Sequence, residues 1–352
     1  MYEICENKKL SFHTIESRTA CDDRYTQLLL ERLYSKATQK QGNTYLDYHG
    51  IIRYDSAFRG IRLKILRNSN FPCYSIYMIL NPRKVIGDFT HIGLMKSDIS
   101  SLQCLEENIH GFWYELGFPF LPDQWTLSRL DIACQFQSHF GKLLIKLLHN
   151  HPLSLKVWQT RQYNRMRSFF AQSLPENVQL YDKGFKMERD NCTLYTSEDW
   201  ANAENLWRFE LQLHRSKIRQ FEQKFEISHT GSLTDRLSAW SSRVSDILSM
   251  ECAALFGQRY YRTMEQAWDL LGTRHEKIIN DYFQMIANYN SVPDAWKHMK
   301  ALGRTSYLTK LFREADTNPV VLPDSLIAQR ERCHFPIPPL SVLFTDFGPK
   351  TV

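Results

Sequence analysis

Residues 127–136 read LSRLDIACQF. In a β-strand, successive side chains leave on opposite faces. Leu130, Ile132, Cys134 and Phe136 therefore share one face, and Arg129, Asp131 and Gln135 the other. Two later stretches follow the same pattern. In VQLYDK (178–183), Val178 and Leu180 point one way, and Gln179, Tyr181 and Lys183 the other. In LWRFELQLH (206–214), Trp207, Phe209, Leu211 and Leu213 oppose Arg208, Glu210, Gln212 and His214. Each segment offers an apolar face to a core and a polar face with charge at its centre. Paired in one sheet, the three would gather two carboxylates (Asp131, Glu210), a phenol (Tyr181) and three cations (Arg129, Lys183, Arg208) on one surface.

Around these segments the chain mixes both element types. Residues 61–66 (IRLKIL) and 74–80 (YSIYMIL, closed by Asn81-Pro82) read as strands. Residues 99–116 place Leu102, Leu105, Ile109, Phe112 and Leu116 at helical spacing, with Gly117 as a stop, and 140–148 predicts another helix. Past about residue 225 the strands cease. Helices are expected over 232–256, 262–271, 275–289, 293–302 and 305–315, and a tail with six prolines runs from Asn318. The expected fold is α+β: an antiparallel-rich sheet with flanking helices in a domain over 1–225, then a helical domain over 226–352.

Composition narrows the class. A chain of 352 residues, 43% hydrophobic and 23% charged, can bury a substantial core and is not disordered. A net charge of +6 suits a polyanionic partner without requiring one. The eight cysteines form no CxxC pair, which speaks against a disulfide framework or a thiolate zinc site and for a reducing compartment. Residues 1–10 (MYEICENKKL) lack the apolar stretch of a secretory signal, and no run of 18 apolar residues predicts a membrane span.

The polar face suits phosphodiester transfer. Asp131 and Glu210 offer hard oxygen ligands for Mg²⁺ or Mn²⁺. Such an ion polarises a phosphate, Tyr181 can attack phosphorus to give a 5′-phosphotyrosine, and Lys183, Arg208 and Arg129 can lower the phenol's pKa and neutralise transition-state charge. Removing either carboxylate is expected to cost little stability, because the two repel when no metal is bound. A salt-bridged sheet face with no chemistry would carry the same residues.

At these residues the chain resembles the replication-associated endonuclease (gene II protein) family of filamentous phages, among the rolling-circle initiators. FRGIRLKILRNSNFPCYSIYMILNPRKVIG (58–87) looks like that family's strand pair, and SRLDIA (128–133) is similar to its Ser-Arg-Ile-Asp motif. VQLYDKGFKM (178–187) falls where the family has its nucleophilic tyrosine, with a lysine soon after. LWRFELQLHRSKIRQF (206–221) resembles its Val-Arg-Phe-Glu strand, and DAWKHMKALGRTSYLTKLF (294–312) and LSVLFTDF (340–347) occupy the corresponding later places. The likeness runs over roughly residues 55 to 347 and extends to plasmid initiators. It implies an origin-specific nick through Tyr181, a covalent intermediate and later rejoining of the displaced strand. It also implies replication-origin DNA, a host helicase and a host polymerase as partners, no membrane, and the cytoplasm of a bacterial host.

The superfamily's His-apolar-His metal motif is missing. His149-Asn150-His151 reads as a helix C-terminus, so the metal would rest on acidic ligands, and His91 or His214 could complete the set. Tyr195 is an alternative nucleophile, Tyr260-Tyr261 reads as packing between arginines, and Trp113, Trp125 and Trp207 as core. Residues 294–315, with Gly303 between two short helices and Lys297, Lys300, Arg304, Lys310 and Arg313, could form a DNA-binding helix-turn-helix or a structural pair. Two rival functions remain open: a DNA-binding regulator without chemistry, and a metal-dependent nuclease using activated water.

Overall fold

The three alternating segments become β6 (Thr126–Gln137), β9 (Glu176–Asp182) and β10 (Leu206–His214), side by side in the order β6-β10-β9. The structure, a computed structural model, describes residues 6–47, 49–56, 59–67, 73–88, 92–149, 159–163, 167–190, 195–256, 276–289 and 291–314. Within these the fold is α+β. The other strands are β1 (Glu6–Asp22), β2 (Gly42–Leu46), β3 (Ile52–Ser56), β4 (Ile61–Arg67), β5 (Cys73–Leu80), β7 (Gln159–Tyr163) and β8 (Ser168–Gln172). All ten form one antiparallel sheet, ordered β2-β3-β4-β5-β1-β6-β10-β9-β8-β7. Strand β1, the longest, was not expected from the sequence pattern, yet it lies at the centre and joins the two wings.

One sheet face is dry. Leu130, Ile132, Cys134, Phe136, Val178, Leu180, Phe209 and Leu211 are buried there, as the alternation predicts. Helices cover them: α1 (Asp23–Thr38), α2 (Pro82–Val85), α3 (Ile99–Glu115), α4 (Gly141–His149), α7 (Arg215–Lys224), α8 (Leu233–Ser241) and α9 (Val244–Phe256) all add side chains to this core. Asp22 and Asp98 cap α1 and α3 by accepting from the amides of Tyr25 and Ser101. Gly117, at φ +78°, turns the chain out of α3. Each fully buried Leu, Ile or Phe contributes about 1.5–3 kcal/mol. Trp113, Trp125 and Trp207 are buried in the same core.

Several boundaries differ from the expectation. The strands end before residue 225, but their core does not: Ile227, Leu233, Leu237, Trp240, Ile247 and Cys252 all belong to it. The span 232–256 is two helices, α8 and α9, broken at Ser242-Arg243. A second apolar cluster, containing Tyr282, Ile286, Val292, Met299, Leu308 and Phe312, joins the helices Glu276–Tyr289, Val292–Ala301 and Thr305–Glu314. His149 ends α4 and its Nε2 lies 3.3 Å from Ser291 Oγ, a contact between the two parts. Gly303, at φ +69°, turns the chain between the last two helices. Lys297, Lys300 and Lys310 are exposed, whereas Arg304 pairs with Asp281. The 262–271 segment, Tyr260-Tyr261, His151, the side chain of Arg313 and the proline-rich tail lie outside the described residues.

Gly141 opens α4 directly against Trp207, whose Nε1 donates to Ser138 O at 3.0 Å. A Cβ at Gly141 would run into the indole. Gly141→Ala should therefore cost about 1–3 kcal/mol in denaturant unfolding, as overpacking does. An unchanged midpoint would mean that the indole yields freely.

Candidate metal centre

Strand register sets the polar face out in rows, because directly opposed residues share a face. Gln135, Arg208 and Tyr181 form one row; Ser11, Ala133, Glu210 and Gln179 the next; Thr14, Asp131, Gln212 and Asn177 a third; Glu16, Arg129 and His214 a fourth. Ala133 is the small central member, and its methyl leaves room among longer neighbours. Strand β1 reaches this surface through a bulge. Phe12 opposes Ile132 and Thr14 opposes Asp131, so His13 is an extra residue. Phe12 and Ile15 both face the core although they are three apart, and both His13 and Thr14 turn to the polar side.

His13, Asp131 and Glu210 each offer one ligand atom, and these atoms lie within 4.8 Å of one another. The group could hold a metal ion, and it is the one such cluster among the described residues. His13 supplies the nitrogen that the sequence motif lacked. His214 faces Arg129 and Glu16 instead, and His91 lies outside the described residues. The bulge hid His13: the apolar phase jumps from Phe12 to Ile15, so no clean alternation marks β1 as a strand.

Both carboxylates and both arginines of the site make hydrogen bonds. Arg129 grips Asp131 with two hydrogen bonds, Nε to Oδ1 at 2.7 Å and Nη2 to Oδ2 at 2.6 Å. Tyr181 OH donates to Glu210 Oε1 at 2.6 Å, and His13 Nδ1 lies 3.3 Å from the same oxygen. Arg208 donates to Gln135 Oε1 at 2.7 Å and to Ile92 O at 2.9 Å. Burial pushes His13 down to about 3, despite Glu210, so its imidazole is neutral and ready to ligate. Burial also works against the Glu210 charge, but His13, Arg208, Lys186 and the Tyr181 hydroxyl hold its carboxyl down at about 2. Burial lifts Asp131 to about 6 while Arg129 pulls it back.

Four expectations need correction. The polar face is not open: Asp131 is fully buried, and Tyr181, Arg208 and Glu210 are nearly so. Ser11 bonds to Met95 O and Arg208 to Ile92 O, so the 92–97 segment crosses over it, beside α5 (Lys183–Asp190) and α6 (Ser197–Asn202). The cations do not lower the Tyr181 phenol: burial and then Glu210 raise it well above its usual range, outweighing Arg208. Lys183 is the first residue of α5, not a strand residue, and burial among Arg208, Lys186 and Arg83 takes its ammonium down to about 6. The carboxylates are likewise not a merely repelling pair. Removing Asp131 would strand Arg129, and loss of one partner of a buried pair costs about 3–5 kcal/mol when burial is complete; the half-exposed Arg129 makes that an upper bound.

Outside this layer lies a cleft of about 1470 Å³, floored by His13, Arg129, Lys183 and Arg208. Its walls carry ten lysines and arginines against Glu16 and Asp55, a bias that favours a polyanion over a neutral ligand. Tyr195 also lines it, packed edge-on against Trp200. Tyr181, Asp131 and Glu210 stand just behind the cleft wall. Among the described residues no helix is long and apolar enough to cross a membrane. No family model matches the chain, and a search of curated proteins finds no match either.

The isosteric changes Asp131→Asn and Glu210→Gln, and His13→Ala, should each lower Mn²⁺ affinity at least about tenfold. Asp131 lies above its ordinary 3.8, so the metal-free fold gains from its proton at low pH and loses that gain as pH rises through about 6. A cation needs the carboxylate, so Mn²⁺ affinity should fall about tenfold per unit below pH 6. Calorimetric titration at several pH values checks both, and Mn²⁺ binding that ignores all three changes would place the ion elsewhere.

Proposed function

We propose that this protein nicks and rejoins one strand of DNA, and that it serves as a rolling-circle replication initiator whose nucleophile is Tyr181. The observation that carries the reading is the shared oxygen: the Tyr181 hydroxyl is bonded to Glu210 Oε1, and Glu210 belongs to the group that could hold a metal. A nucleophile and a metal ligand are thus in direct contact beside a cationic cleft. The donor set of two carboxylates and one imidazole fits Mg²⁺ or Mn²⁺.

A divalent cation bound there would supply Lewis acidity at the scissile phosphate and positive charge beside the phenol. The chain's own groups do the rest. Glu210 Oε1 is the acceptor at hand for the Tyr181 proton. The phenolic oxygen attacks phosphorus, the bond to the 3′ oxygen breaks, and that oxygen leaves with a proton as a free 3′-OH. One phosphoester forms as another breaks, so the reverse attack by a 3′-OH rejoins a strand without added energy. Arg208 and Lys186 bring positive charge to the Tyr181 side of the pocket, where charge develops on phosphate. Arg129 orients Asp131. Because Tyr181 is only 7% exposed, with Lys186 of α5 over its ring, DNA gains access when that cover yields. The resemblance to phage and plasmid initiators supports origin DNA as substrate, with a host helicase and polymerase acting on the nicked product.

The burial of Tyr181 favours one competing reading, a nuclease that activates water with the same His13, Asp131 and Glu210. The two part on a single change. With an end-labelled oligonucleotide and Mn²⁺, the parent protein should become covalently joined to the 5′-phosphate end that the cut creates. Tyr181→Phe should lose both adduct and nicking by at least about a hundredfold, and EDTA should stop both. Nicking that survives in Tyr181→Phe would give the site to water.

A further inference from the structure

The other wing of the sheet carries a second ordered row. Tyr45 on β2 opposes Arg53 on β3, Arg53 opposes Lys64 on β4, Lys64 opposes Tyr77 on β5, and Tyr77 opposes Arg18 on β1. The residues one step away, Tyr54, Leu63, Met78 and Ser17, are all buried on the core side. The row therefore stands on the same face as the metal centre and alternates aromatic and cationic groups: Tyr, Arg, Lys, Tyr, Arg. We propose that this cross-strand ladder is a binding track for an unpaired nucleic-acid strand, which it leads to the metal centre. The inference rests on the nicking function proposed above.

The chemistry matches such a strand on both counts. Bases without partners expose π faces that stack on tyrosine, and phosphates need cations at intervals. Five strands at about 4.8 Å spacing make a row of about 19 Å, room for about five stacked nucleotides at ~3.4 Å each. Arg18 and Lys64 lie 5.9 and 6.0 Å from the Tyr77 ring centre, at the outer limit of a cation–π contact. Arg18 Nη1 also donates to the Tyr77 hydroxyl at 3.4 Å, a long contact that a phosphate can replace while a ring face is left to a base. Tyr45 is 45% exposed at the far end. The next row along the strands contains Glu16 and Arg129, and Arg129 holds Asp131, so the track passes beside the metal group. Lys64 also pairs with Glu16 and Arg53 with Asp47, contacts that keep the cations in place when no strand is bound.

The test uses the full chain in EDTA with a fluorescein-labelled oligothymidylate of about 15 nucleotides, within the range such grooves cover. Anisotropy should show Tyr77→Ala and Tyr45→Ala each binding at least about fivefold more weakly, with Tyr77→Phe within about twofold of the parent. Arg18→Gln, at an exposed position, should reduce the slope of log affinity against log salt by about 0.7 while leaving the melting midpoint unchanged. A duplex of equal length should not respond to Tyr77→Ala, since its bases are already stacked. Parent-like oligothymidylate binding by both alanine variants, or equal losses on duplex, would overturn the track. Tyr181→Phe keeps the row and should bind normally. If the ladder variants lose binding but no covalent adduct ever forms, the nicking function falls and the track stands; if adducts form and ladder variants bind normally, the track alone falls.

Discussion

The candidate site depends on one backbone irregularity, the extra residue in β1 at His13. A regular strand alternates faces without exception, so Phe12 and Ile15 could not both enter the core. The bulge resolves that parity by giving His13 and Thr14 to the polar side together. It also spends an unpaired residue on a central strand, where ladder hydrogen bonds are normally continuous. That local cost is offset by the core around it, since Phe12, Ile15, Leu130 and Ile132 are all fully buried. Without the irregularity the group would hold two carboxylates and no imidazole.

The polar face behaves as a second interior. Asp131, Glu210, Arg208 and Gln135 are as inaccessible as many core residues. Burying charge is tolerable only when each charge is met, and here the partners are specific: Arg129 with Asp131, Tyr181 with Glu210, Gln135 with Arg208. The balance tips to the positive side: burial first, and then Arg208, Lys186 and Arg83, bring the Lys183 ammonium down to about 6. An anion placed among them would relieve that repulsion, as a cation between Asp131 and Glu210 would relieve theirs. The site is electrostatically arranged to be completed from outside.

Its location follows from how the helices are distributed. The long helices pack on one sheet face, and among the described residues the opposite face is covered near β1, β6, β9 and β10, by α5, α6 and the 92–97 segment. The β2–β5 wing keeps its polar face to the cleft. One continuous sheet therefore carries a closed polar pocket in one half and an accessible cationic surface in the other, joined through β1.

Much of this was written locally. Alternation from Arg129 to Phe136 and in LWRFELQLH assigned strand, core face and polar face, because side-chain direction in a regular strand depends on parity; at Ser128 a slip in register sends both Leu127 and Leu130 to the core. Helical spacing did the same for Leu102 to Phe112. The sequence by itself therefore determined that Arg129, Asp131, Tyr181, Arg208 and Glu210 share a surface if their strands pair. Strand neighbours, the burial of that surface and its third ligand were decided only by tertiary structure. Pairing of β1 between β5 and β6 spans more than a hundred residues of chain. The bulge that admits His13 erases the alternation by which a strand is recognised, and Tyr181 is buried beside Arg208, which the 92–97 segment caps, and under Lys186. Parity is a property of one strand, whereas proximity and dielectric are set by everything that packs around it.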